Sequence, residues 1–130
     1  MHKIRARLIA CALVSSLAFG AVLGESARAE ACSCAGPNHA RDVRTFAVSF
    51  RGVAQSVRQI DSETEEVTFS VTLRWRGVAV SQRAVSVRRN SRIVMCPIPS
   101  FRVGQRYAVY AQRSAGGVLT VGACNPSHAE

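Results

Sequence analysis

The sequence predicts an all-β domain: a five-stranded closed barrel of the OB type with a short N-terminal helix and two disulfides. Three observations predict it. Apolar and polar residues alternate in several short runs, turn residues separate those runs, and no βαβ spacing appears between them. With 130 residues and 48% apolar content, the chain has material for one small core. Closing a sheet of that size into a barrel also removes its free edges.

The first segment reads as one to be cut away. A basic start (His2, Lys3, Arg5, Arg7) leads into an apolar run over 8–23 and a region of small residues over 24–31. This is the layout of a secretory signal peptide covering residues 1–31, which leaves a domain over 32–130 that is soluble and either secreted or periplasmic. The run is short for a membrane span and no later stretch replaces it. Two Ala-x-Ala patterns compete for the cut: Ala27-Arg28-Ala29 would release Glu30 first, and Ala29-Glu30-Ala31 would release Cys32 first. A lipid anchor at Leu8-Ile9-Ala10-Cys11 lacks a preceding hydrophobic segment, and at Cys32 the flanking Glu30 and the missing Leu argue against one.

Beyond the cut lie Cys32, Cys34, Cys96 and Cys124, an even number in a small exported domain, which favours disulfides. A Cys32–Cys34 ring would be strained, so each reaches forward to Cys96 or Cys124. Loops that long are worth roughly 4 kcal/mol each in the chain-entropy account. A soft metal site using the Cys-x-Cys pair, Met95, Cys96 and His39 is the weaker alternative in an oxidising compartment, because its spacing is not that of a zinc knuckle.

The elements follow in order. Ala35-Gly36-Pro37-Asn38 makes a turn with Asn38 as N-cap, and residues 39–45 make at most two turns of helix. Phe46, Val48 and Phe50 begin a long first strand in which Gly52 permits a bend before Val53 and Val57 continue. Residues 59–66 gather Asp61, Glu63, Glu65 and Glu66 and read as a solvated hairpin connection without the Gly turn of a calcium loop. Val67, Phe69, Val71, Leu73 and Trp75 face inward on the second strand, opposite Thr68, Ser70, Thr72, Arg74 and Arg76. The third strand is expected over 84–88, with a turn at 89–91. Pro97 and Pro99 place the segment around Cys96 at the barrel edge. Residues 106–112 form the fourth strand, with Tyr107, Val109 and Ala111 inward. Gly116-Gly117 turns into a last strand over 118–122, and the tail from Asn125 to Glu130 is expected to fray.

Catalytic parts are scarce. His39 and His128 stand alone, there is no nucleophile elbow or phosphate loop, and the carboxylates cluster in one connection. The expectation is a protein that is no enzyme and has no cofactor of its own. Residues 32–130 hold 13 basic residues, all arginine, against 6 acidic ones, a net +7. Such a surface suits anionic polysaccharide, lipid head groups or acidic proteins. Nucleic acid is disfavoured, since nearly all the aromatics fall on inward positions and leave no stacking platform.

These pieces together resemble the netrin-like module, closest to the N-terminal inhibitory domain of the tissue inhibitors of metalloproteinases. The resemblance runs from Cys32 to Cys124. It is carried by Cys32-Ser33-Cys34 beside the signal cut, Phe50-Arg51-Gly52, the Val67 to Trp75 alternation ending in Arg76-Gly77, Cys96, the Gly104 to Ala111 strand, and Cys124. It implies disulfides Cys32–Cys96 and Cys34–Cys124, and a secreted inhibitor of zinc metalloproteinases. In that reading the free amino group and carbonyl of a mature N-terminal Cys32 chelate the protease's zinc, and Ser33 probes the primed pocket. Cys34, Val94 and Met95 flank the contact. The alternative is a non-inhibitory netrin-like binding module for polyanions or extracellular proteins, with Arg74, Arg76, Arg88, Arg89 and Arg92 as its contacts.

Overall fold

Helix α1 (His39–Thr45) leads into β1 (Val48–Gln59), β2 (Thr64–Arg76), β3 (Ala84–Asn90), β4 (Arg106–Arg113), β5 (Leu119–Val121) and β6 (His128–Ala129). The computed structural model describes residues 33–91 and 96–130. Five strands close into a barrel in the order β1-β2-β3-β5-β4, with β4 pairing back onto β1. All contacts are antiparallel except β3 with β5. No helix among the described residues is long and apolar enough to cross a membrane.

Strand β1 serves two partners, facing β2 along most of its length and β4 over Val48–Val53. It can do so because it is coiled by irregularities in its register with β2 at Ser49/Phe50, Arg51/Gly52 and Ala54/Ser56. Gly52 is required at the second of these. A Cβ there would sit 2.8 Å from the Ser70 carbonyl oxygen and 3.2 Å from Phe69 Cβ, so the two strands approach only because no side chain intervenes. Consequently Ala54 goes inward and is fully buried. Val57, further along the strand, is 39% exposed.

The core is Val48, Phe50, Ala54, Val67, Phe69, Val85, Val87, Phe101, Tyr107, Val109, Ala111 and Val121. Phe69 is its hub, edge-on to Phe50, Phe101 and Tyr107 at ring separations of 5.7, 5.1 and 6.2 Å. Phe101 comes from the irregular segment before β4, and the next residue fixes it: the Arg102 N–H donates to Tyr107 Oη at 2.7 Å. Edge-to-face rings of this kind add to the area they bury.

Several expectations are corrected. The tail does not fray: β6 pairs with Tyr107 and Ala108 of β4, making a sixth strand. The reason is that β5 reaches only Gln112 and Arg113 of β4, so the earlier part of that β4 edge is left open for the tail to cover. Glu65 and Glu66 belong to β2 and not to the connection, because Arg89 and Arg88 stand opposite them on β3 and neutralise them. The same pairing carries β3 on to Asn90. Leu73 is 43% exposed, since the register shift at Arg51/Gly52 sets Val71 against Gly52 but Leu73 against Arg51, which turns Leu73 away from the core. One disulfide is described, Cys34–Cys124. Cys96 is also disulfide-bonded, but the expected Cys32–Cys96 pairing lies outside the described residues.

Candidate functional site

The edge built around Cys34 is the place where the predicted contact residues meet the fold. Ser33 to Pro37 are exposed and outside any helix or strand, and lead up to the helix. Their far end is held by the cap of α1: Asn38 Oδ1 accepts the Arg41 N–H at 3.0 Å, and Asp42 Oδ2 accepts the Asn38 N–H at 2.7 Å. This reciprocal bonding is a capping box displaced by one residue. Arg41 completes it, donating through Nε to Asp42 Oδ1 and through Nη2 to the Gly36 carbonyl, both at 2.8 Å. Asp42 is 1% exposed, and these bonds are what make its burial tolerable.

The near end is held by the Cys34–Cys124 disulfide, whose Cα atoms lie 5.1 Å apart. Cys124 has φ +56°, a left-handed conformation that costs a non-glycine residue about 1–2 kcal/mol. Its N–H donates to the Pro97 carbonyl at 2.8 Å, so three chain segments converge here. Pro37, Pro97, Ile98, Pro99 and Pro126 surround the disulfide in a groove of ≈ 350 Å³.

After Cys124 the chain crosses β4. Asn125 Nδ2 donates to the Tyr110 carbonyl at 2.7 Å, and the Tyr110 N–H donates to Ser127 Oγ at 2.8 Å. Tyr110 then anchors the outer face of the barrel. Its hydroxyl is hydrogen-bonded to His39 Nδ1 at 2.9 Å, and its ring packs with Trp75, Phe46 and His128. Burial, followed by the nearby Asp42 and Glu130 charges, pushes the phenol above its ordinary range. Arg51 lies over Trp75, 5.8 Å from the ring centroid, and forms a two-pronged pair with Glu130. The helix, the end of β2 and the tail are thereby locked to one tyrosine.

Ser33 and Cys34 are thus placed at an exposed, braced edge, while Cys32, Val94 and Met95 lie outside the described residues. Cys34 and Cys124 spend their sulfurs on each other, and His39 is bonded to Tyr110, so these side chains do not assemble a metal site. Among the described residues no group of three His, Cys, Asp or Glu could hold a metal ion.

The candidate polyanion contacts do not form one patch. Arg88 bonds Glu66, which Arg58 also grips, and Arg89 bonds Glu65. Arg74 and Arg76 lie at the other end of β2, roughly 25–35 Å away at strand rise. There they donate to the carbonyls of Ala79 and Gln82 and of Val43 and Arg44. Arg92 lies outside the described residues. The sequence reading missed Asp42, Tyr110 and Glu130. An acid four residues after an N-cap was the available signal for Asp42, and the other two depend on contacts between distant parts of the chain.

Comparison with models of known protein families and with curated proteins gives no match to either.

Proposed function

We propose that this protein is an exported inhibitor of zinc metalloproteinases, acting by occupancy and performing no reaction of its own. The support is the resemblance to the inhibitory branch of the netrin-like modules, with its OB-type barrel, together with one observation. The Cys34–Cys124 disulfide and the hydrogen bond from Cys124 to Pro97 draw the exposed Ser33–Pro37 segment beside the segment that follows Cys96. In this reading those two segments form the inhibitory ridge.

Export to a secreted or periplasmic compartment cleaves off residues 1–31, and Cys32 becomes the first residue. Its amino nitrogen and carbonyl oxygen close a five-membered ring with the zinc of the target protease and displace the water that occupies the open coordination position. Ser33 enters the primed pocket, and Val94 and Met95 flank it. The amine binds as the neutral base, so association releases a proton and strengthens as pH rises towards the reference value of about 8. Bracing Cys34 from both ends of its segment lowers the ordering cost of docking.

The test pairs intact-mass analysis of the exported protein with inhibition of a metalloproteinase panel. The expected results are a chain beginning at Cys32 and loss of inhibition when one alanine is added ahead of it. A chain beginning at Glu30, or equal inhibition by the extended version, would overturn the reading.

A further inference from the structure

The end of the barrel where β2 outruns β3 carries charge of one sign. Arg74 and Arg76 lie at the end of β2 on opposite sides, because the register shifts between them and sets Arg74 against Phe50 and Arg76 against Ser49. Arg83 closes the return to β3, and Arg44 lies in the last turn of α1. Arg76 Nη1 donates to the Arg44 carbonyl at 2.6 Å and ties helix to strand. None of these four arginines makes an ion pair among the described residues. The described carboxylates are engaged elsewhere. Glu65 and Glu66 are paired across β2 and β3, and Asp61 and Glu63 lie in the connection beside them. Asp42 is buried against Asn38 and Arg41, and Glu130 is held by Arg51.

Arg74 and Arg83 flank a turn of unusual composition. Residues 79–82 close with the Gln82 N–H donating to the Ala79 carbonyl at 3.0 Å. Val80, at the leading corner, is 90% exposed, where Gly, Pro, Asn, Asp or Ser would be usual. The turn is braced: Arg74 donates to the carbonyls of Ala79 and Gln82 at 3.1 and 2.6 Å, and Val78 packs on the core. A rigid apolar tip flanked by Arg74 and Arg83, at a barrel end whose arginines make no ion pair among the described residues, matches the interface of an anionic bilayer. There the arginines meet phosphate and the tip enters the boundary of the acyl chains. An anionic polysaccharide would satisfy the arginines but offer Val80 nothing.

We propose that the turn between β2 and β3 is a membrane-surface dock that holds the protein peripherally on bilayers rich in anionic phospholipid. The dock is separate from the edge around Cys34 and stands whether or not the protein inhibits a protease.

The test is cosedimentation of the exported, disulfide-bonded protein with vesicles of phosphatidylcholine alone or mixed with phosphatidylglycerol, with retention on heparin measured in parallel. Wild type is expected to partition onto the mixed vesicles only, and less so as salt rises. Replacing Arg44→Gln together with Arg83→Gln is expected to weaken partition about 25-fold, at roughly five-fold per surface arginine. Val80→Ser is expected to weaken it several-fold while leaving heparin retention unchanged. All three side chains are exposed, and unchanged thermal melts verify that the variants fold. Absence of a preference for the mixed vesicles overturns the dock, as does a Val80→Ser variant that partitions like wild type. If heparin retention alone follows the arginines, the surface is a polysaccharide site instead.

Discussion

The carboxylate of Asp42 accepts the backbone N–H of Asn38 at 2.7 Å, and this one bond joins the helix cap to the segment that carries Cys34. Without it the Asn38 N–H is left unpaired and Arg41 loses its buried partner. Asp42→Ala is expected to cost about 2 kcal/mol, the sum of a lost cap and an unmet donor. Urea unfolding measures this as a lower midpoint at unchanged slope. Asp42→Asn, which keeps one acceptor, should fall between the two. The same variants should inhibit more weakly, because the Ser33–Pro37 segment loses its far anchor.

What the sequence reading reached and what it missed divide along a physical line. Val67, Phe69, Tyr107, Val109 and Ala111 were legible because a period of two with one buried face leaves its mark in the residues themselves. The helix over 39–45 was legible from Asn38 and the turn before it. Glu65 and Glu66 were not: a polar strand end resembles a loop until the arginines opposite it are known, and these come from more than twenty positions away. Strand β6 has no apolar pattern at all, and its pairing is dictated by the open edge of β4. In the candidate site, Ser33 and Cys34 could be named in advance, whereas the Cys34–Cys124 pairing was implied only by resemblance. The geometry of cysteines alone left two partners open.

Gly52→Ala tests the close approach of β1 and β2. Its new methyl would meet the Ser70 carbonyl oxygen at 2.8 Å with Phe69 Cβ behind it, and neither can move without disturbing the ladder. The expected cost is about 1–3 kcal/mol, the range for overpacking. Ala→Gly at Ala35, exposed and outside any strand, should change stability by less than about 0.5 kcal/mol in the same denaturation assay and serves as the control.

Acid should loosen the tail before it loosens the barrel. The hydrogen bonds from Arg51, with its charge, hold the Glu130 carboxyl below the usual carboxylate range. Arg58 and Arg88 do the same for Glu66. A carboxyl that binds its proton at lower pH when folded contributes stability in full above its unfolded pKa, and that contribution is lost as pH falls through the folded value. The melting temperature is therefore expected to fall as pH drops below the carboxylate range. Glu130→Gln should lie below wild type near neutral pH and converge with it in acid. Amide exchange at Ala108 should rise first, since β6 covers that stretch of β4.

The Cys34–Cys124 disulfide gives a prediction that separates fold from function. It joins positions 90 residues apart, and a loop of that length contributes up to about 4–5 kcal/mol in the chain-entropy account. The double variant Cys34→Ala/Cys124→Ala removes that contribution, but it leaves the closed pairing of β1 with β4 and the cluster about Phe69 untouched. The barrel is therefore expected to persist at low temperature with near-wild-type far-ultraviolet dichroism and a much lower denaturation midpoint. Inhibition should disappear under the same folded conditions, because Cys34 no longer ties the Ser33–Pro37 segment to Cys124 and, through it, to Pro97. A variant that stays folded and inhibits like wild type would show that the ridge needs no anchor at Cys34. The contact would then have to rest on other parts of the surface.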